Sequence, residues 1–237
     1  MKSLVFDSSS IITLASNNLL WLLKPLKKQF GGKFFIPHSV KIELVDNALK
    51  TKRFRLEAMQ VMEEIAKENL VIYSDQEVKE LARKLLKLAN RVYIAKGNYI
   101  KIVHLGEMEV ISLVCRLNSE ACVIDERTTR ILIEDPEKLA DLLERKLHTK
   151  VQMDRENLEE FKRKLTKFGI IRTSELVTIA YELGLLDVYS SDMEKIYTKA
   201  TKEDVLDGAL WGVKLRGCSI SGSEIEEIKK FEREKTS

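Results

Sequence analysis

The chain has 237 residues, 44% hydrophobic and 32% charged, with 40 basic and 37 acidic side chains and a net charge of +3. This balance excludes extended disorder, and no apolar stretch approaches the roughly 20 residues a helix needs to cross a bilayer. Three widely spaced cysteines, Cys115, Cys122 and Cys218, make no C-x-x-C pair and fit a reduced compartment, not a disulfide scaffold.

Short apolar runs alternate with helix-period segments, the pattern of βαβ units around a buried parallel sheet. Leu4–Phe6 forms the first run and stops at Asp7. Three serines follow, leading into a helix that carries Ile11, Leu14, Ala15 and Leu19. Phe34–Ile36 is the second run; a turn at Pro37 comes next, then a helix with Glu43 in its first turns. The densest basic run, "LKTKRFR" (49–55), precedes a helical pattern of Leu56, Met59, Met62 and Ile65. Leu70–Tyr73 is the third run. Glu107 and Glu109 open a strongly apolar helix bearing Val110, Ile111, Val114 and Leu117. Ala121–Ile124 is the fourth run and ends on Asp125-Glu126, while Gly169–Ile171 is the fifth.

Beyond residue 150 the texture turns helical. Asp154 reads as an N-cap with Gly169 as the matching stop, and Ser223 with Glu226 fits a capping box. No Pro- or Gly-rich linker divides the chain. The expected organisation is one domain over 1–190, with a helical insertion near 136–168, and a helical extension over 191–237. The N-terminus lacks the basic and apolar regions of a signal peptide, so the expected location is cytoplasmic.

In a parallel sheet every strand's carboxyl end faces one edge, where ligands bind at the switch point. Asp7 and Asp125 end buried runs, and Glu43, Glu107 and Glu109 start neighbouring helices, so these acids are predicted to converge. Carboxylates within ~4–6 Å raise one another's pKa unless a cation neutralises them. Hard oxygen donors suit Mg²⁺ or Mn²⁺, as one ion or as a pair. Taken singly, each acid has an ordinary role, since a carboxylate in a helix's first turn gains ~0.3–1 kcal/mol from the macrodipole. It is the joint pattern that points to a metal site.

Together, "LVFDSSSIITLA", "IPHSVKIELV", "LGEMEVISLV" and "CVIDERTTR" resemble a PIN domain, the nuclease fold related to flap endonucleases. The resemblance covers residues 1–135, and 169–190 loosely. It implies a three-layer α/β/α sandwich with a central, mainly parallel sheet, and Mg²⁺- or Mn²⁺-dependent cleavage of single-stranded RNA by a metal-bound water. By position, Asp7, Glu43, Glu107 and Asp125 match the four family acids; Glu126 is the alternative fourth acid and Glu109 an additional ligand candidate. Ser9 resembles the small hydroxyl residue that holds the first acid. Arg127, Arg130, Lys52, Arg53 and Arg55 are candidates for RNA contact. A homodimer is a further expectation. The competing readings are a PIN-fold RNA-binding or scaffold module, and a toxin with an antitoxin partner.

Overall fold

The computed structural model describes residues 2–191 and 201–236. The elements in chain order are β1 (Ser3–Phe6), α1 (Ser8–Ser16), α2 (Leu23–Phe30), β2 (Lys33–Pro37), α3 (His38–Lys41), α4 (Arg55–Ala66), β3 (Val71–Tyr73) and α5 (Gln76–Ala89). There follow β4 (Tyr93–Ala95), β5 (Asn98–Tyr99), α6 (Leu105–Leu117), β6 (Ala121–Val123), α7 (Arg127–Glu134), α8 (Pro136–Leu147), β7 (Val151–Met153) and α9 (Arg155–Arg163). The chain continues through β8 (Gly169–Ile171), α10 (Thr173–Glu182), α11 (Val188–Ser191), α12 (Lys202–Leu215) and α13 (Gly222–Thr236).

Five strands form one sheet in the order β3-β2-β1-β6-β8, with every neighbouring pair parallel. The five apolar runs of the sequence are these five strands. Chain direction across the sheet reverses between β1 and β6, which makes that junction the switch point. Phe6 lies opposite Val123, so Asp7 and Asp125 leave adjacent strands at the same edge. Val5, Phe6, Ile36, Cys122 and Val123 are fully enclosed, because parallel strands covered on both faces have no solvated side. α6 lies along β1, β2 and β6 with α5 packed outside it, while α1 packs with α4 and α10, giving the three-layer α/β/α architecture. No helix among the described residues is long and apolar enough to cross a membrane.

Several local expectations change. The 136–168 segment holds a strand as well as helices: β7 pairs antiparallel with β4, which also pairs β5, and the three make a second small sheet. α9 ends at Arg163, so Gly169 is no helix stop and begins β8 instead. The last capping box is Ser221 with Glu224, two residues before the expected pair. α4 forms where expected, yet Leu56, Met59 and Met62 stand outward at 68%, 49% and 46% exposure while Ala58 and Val61 pack inward. α12 and α13 pack against each other, and α12 lies against α10. Of the expected 191–237 extension, residues 192–200 lie outside the described residues.

Candidate metal centre at the sheet switch point

Asp7 follows β1 and is the N-cap of α1. Its Oδ2 accepts from the Ser9 backbone N–H at 3.1 Å and from the Ser9 hydroxyl at 2.5 Å. The same Ser9 oxygen accepts from the Asp125 backbone N–H at 3.2 Å, so one hydroxyl pins the ends of β1 and β6 together. Ser10 reinforces the seam by donating to the Asp7 and Val123 carbonyls. Two of the three serines, Ser9 and Ser10, therefore act as strand-end clasps as well as helix starters.

Asp7 is 4% exposed. Burial pushes its pKa above the usual carboxylate value; the Ser9 hydroxyl and the Ser9 and Ser8 backbone N–H groups pull it back, and the charge of Glu43 raises it again. Glu107 is also raised, first by burial. The His104 N–H, donating at 2.8 Å, opposes that shift, and the charges of Glu126 and Asp7 add to it. Asp7, Glu43, Glu107 and Glu126 are thus electrostatic neighbours at one rim. Among the described residues none of the four makes an ion pair with a Lys or Arg.

Glu43 reaches the rim from an unexpected element. α3 runs into a π-helical segment, Ile42–Asn47, whose wider turn carries Glu43. Such single-turn irregularities concentrate at functional sites, where they re-aim a side chain. Glu43 is exposed and shares an apolar groove of about 270 Å³ with Arg53 and Phe54. Lys52, Arg53 and Arg55 are all exposed on the turn into α4, with Arg53 stacked over Phe54 at 4.7 Å.

The adjacent acids Asp125 and Glu126 go different ways. Asp125 is fully buried; its Oδ1 accepts from the Thr173 N–H at 2.7 Å and its Oδ2 from the Thr173 hydroxyl at 2.8 Å. Both oxygens are engaged at the start of α10. Glu126 is the N-cap of α7, accepting from the Thr128 and Thr129 N–H groups at 2.8 and 2.6 Å, and its charge acts on Glu107. Successive side chains leaving a strand point to opposite faces, which separates the two acids.

Glu107 and Glu109 are separated too. α6 begins at Leu105, ahead of both, and two residues along a regular helix turn the side chain by about 200°. Glu109 faces the packed side, 8% exposed, away from its neighbour's rim position. Arg127 and Arg130 lie on α7 beside the rim and line a cavity of about 420 Å³, walled opposite by Ser219, Ser221 and Glu224. Within it the Arg130 Nε and the Ser219 hydroxyl are buried without a hydrogen-bond partner.

Among the described residues, no group of three or more His, Cys, Asp or Glu side chains is already set to hold an ion. Glu107 and Glu126 fold back onto backbone N–H groups at their own helix starts, so each would have to swing outward. The donor set nonetheless fits a hard divalent cation: it is all carboxylate, partly desolvated and mutually repelling. The Thr129 hydroxyl is buried beside Glu107 and, as a donor toward it, pulls the Glu107 pKa back down.

A family model described as PIN domain matches residues 3–135, a stretch that contains all four rim acids and Ser9. No curated protein and no solved structure matches the chain significantly.

Proposed function

The chain belongs to the PIN domain family, whose members are generally nucleases using divalent cations, and from that premise we propose that it is a metal-dependent endoribonuclease acting on single-stranded RNA. The observation that carries this reading is the set of four rim carboxylates in which Asp7 feels Glu43, and Glu107 feels Glu126 and Asp7, with no basic ion-pair partner among the described residues. Asp125 and Glu126 both have their oxygens engaged, by Thr173 and by the Thr128 and Thr129 N–H groups; Glu126 takes the fourth place in this proposal because its charge acts on Glu107. Glu109 is left out because its helix carries it to the other side.

Mg²⁺ or Mn²⁺ held by these carboxylates supplies charge neutralisation at the scissile phosphate and a more acidic water. The chain's own groups do the positioning. Ser9 fixes the Asp7 carboxylate, which keeps one ligand oriented before an ion arrives. Arg127, which has no ion pair among the described residues, offers donors to the RNA phosphates beside Glu126, with Arg130 next to it on the same cavity wall. Lys52, Arg53 and Arg55 offer the same on the Glu43 flank.

The test is cleavage of an end-labelled single-stranded RNA in Mg²⁺, in Mn²⁺ and in EDTA. Cleavage should require the cation and leave 5′-phosphate and 3′-hydroxyl ends. Equal cleavage in EDTA refutes the proposal, and RNA binding without cleavage under any cation replaces it with a binding module.

A further inference from the structure

A second charged surface lies outside the rim. α5 carries Lys79, Arg83 and Lys87 at a spacing of four residues, and Arg91 continues the series just past the helix end. Side chains four apart stand on one helix face, about 6 Å apart along the axis. Like charges at that spacing destabilise a helix unless something offsets them. Glu80 stands three residues before Arg83 but accepts from Gln76, and among the described residues it makes no ion pair with the stripe. A hollow of about 320 Å³ at the C-terminal half of the stripe is lined by Arg83, Lys87, Arg91 and Lys101 with Asn90 and Tyr99, and has no Asp or Glu in its wall.

Among the described residues none of these five cations makes an ion pair. The acids of α5 are engaged elsewhere: Asp75 and Glu77 pair with Arg116, and Glu80 accepts from Gln76. Asp154, the nearest acid to Tyr99, accepts from the Tyr99 hydroxyl and from Asn157. The contrast with other surface cations is plain. Lys202, Lys229 and Arg155 each hold a carboxylate.

We infer that this stripe is a binding site for single-stranded nucleic acid, taking the backbone on Lys79, Arg83, Lys87, Arg91 and Lys101 and a base on Tyr99. Tyr99 is 48% exposed, with the Arg91 guanidinium over its ring at 5.9 Å, an open aromatic face already flanked by a cation. A base stacks on such a face, whereas an acidic peptide has no use for it. The cation spacing suits successive phosphates of an extended strand.

The stripe also leads to the acids. Asn90 accepts from the Ile102 and Val103 N–H groups and donates to the Val103 carbonyl, fixing the segment just before His104 and Glu107. Arg116 at the far end of α6 pairs with the first residues of α5, so the two helices run antiparallel and the Arg91 end of the stripe abuts the Glu107 end of α6. A strand on the stripe is thereby delivered toward the rim. Only this delivery rests on the nuclease reading; binding itself does not.

The experiment measures anisotropy of a labelled single-stranded oligouridylate in EDTA over a series of salt concentrations. Arg83→Gln with Lys87→Gln should weaken binding about tenfold and lower the log–log salt slope by about 1.4, the value for two lost phosphate contacts on a single strand. Lys24→Gln with Lys28→Gln, an equal change of charge on α2, should leave both nearly unmoved. Tyr99→Ala should weaken binding with the slope unchanged, and Tyr99→Phe should restore it. Matching thermal melts keep these comparisons independent of folding. Unchanged affinity and slope in the Arg83/Lys87 variant overturn the assignment, as does equal competition by polyglutamate, which would make an acidic protein the occupant. Binding that follows these expectations without cleavage in any cation would sink the nuclease reading alone.

Discussion

Two clusters of charged side chains, one around the ends of β1 and β6 and the other just past β8, are built on opposite principles. At the rim, Asp7, Glu43, Glu107 and Glu126 bring like charges together with no Lys or Arg paired to them among the described residues. Beside it, Arg172 is 9% exposed and is held by Glu175 at 2.5 Å, Glu224 at 2.8 Å and the Ser219 carbonyl at 3.0 Å. Burial raises the pKa of Asp7 and Glu107. Burial also works to raise that of Glu224, but the Ser221 N–H and the Arg172 guanidinium overcome it and hold the group at about 2. The second cluster neutralises itself and ties elements together. The first leaves its charge for something external to answer, as expected of a site and not of a joint.

The comparison is sharpest at its extremes. Asp7→Asn should lower cleavage by at least about a thousandfold, on the proposed reading, while the melting temperature stays level or rises. The sign follows from the raised pKa: the native state disfavours the Asp7 carboxylate at neutral pH, so a neutral amide that still accepts from Ser9 removes a penalty. Single-turnover cleavage beside a thermal melt checks both halves; a large loss of stability would show that Asp7 belongs to the scaffold. Arg172→Met should do the reverse, lowering unfolding free energy by about 2–3 kcal/mol in denaturant titration. That is below the figure for a fully buried pair because Glu175 and Glu224 keep some solvent.

Asp125→Asn probes the residue between the two. It should lower stability by about 1–3 kcal/mol, because the amide cannot accept on both atoms from Thr173. Cleavage should fall far less than for Glu126→Gln. If the order of the two activities is reversed, Asp125 is the fourth acid after all. The smallest effect concerns pH. Glu224 titrates near 2, below its ordinary 4.5, so its contribution is full above 4.5 and is lost as pH falls toward 2. Wild type and Glu224→Gln should therefore differ by about 0.5 kcal/mol near neutrality, solvent screening included, and converge at pH 2.

The central sheet was legible because its strands are continuous apolar runs that no surface helix would tolerate. β4, β5 and β7 were not, being two or three residues long, with β4 paired locally to β5 and across more than fifty residues of chain to β7. The Leu56, Met59 and Met62 period announced α4 correctly, but periodicity does not say which face turns inward, and the small Ala58 side chain allows the closer approach to α1. At "IDER" two acids stand in sequence, Asp125 as the first choice and Glu126 as the alternative, and the string does not say what each carboxylate meets: Thr173, forty-eight residues on, for Asp125, and the Thr128 and Thr129 N–H groups for Glu126. The outward stripe on α5 is plain in the sequence as a period of four. Its lack of partners emerges only when Arg116 is found to take Asp75 and Glu77.

One continuous relay runs from the Asp7 carboxylate through the Ser9 hydroxyl to the Asp125 N–H, from the Asp125 carboxylate to Thr173, and from neighbouring Arg172 to Glu224 on α13. Anyone trimming this protein to a minimal nuclease would be tempted to stop near residue 190, where the family likeness has already faded. That cut would strip Arg172 of its Glu224 and Ser219 partners and loosen the hinge on which Asp125, and through it the first acid, is hung. The tail is better regarded as the far anchor of the corner that carries the candidate site than as decoration.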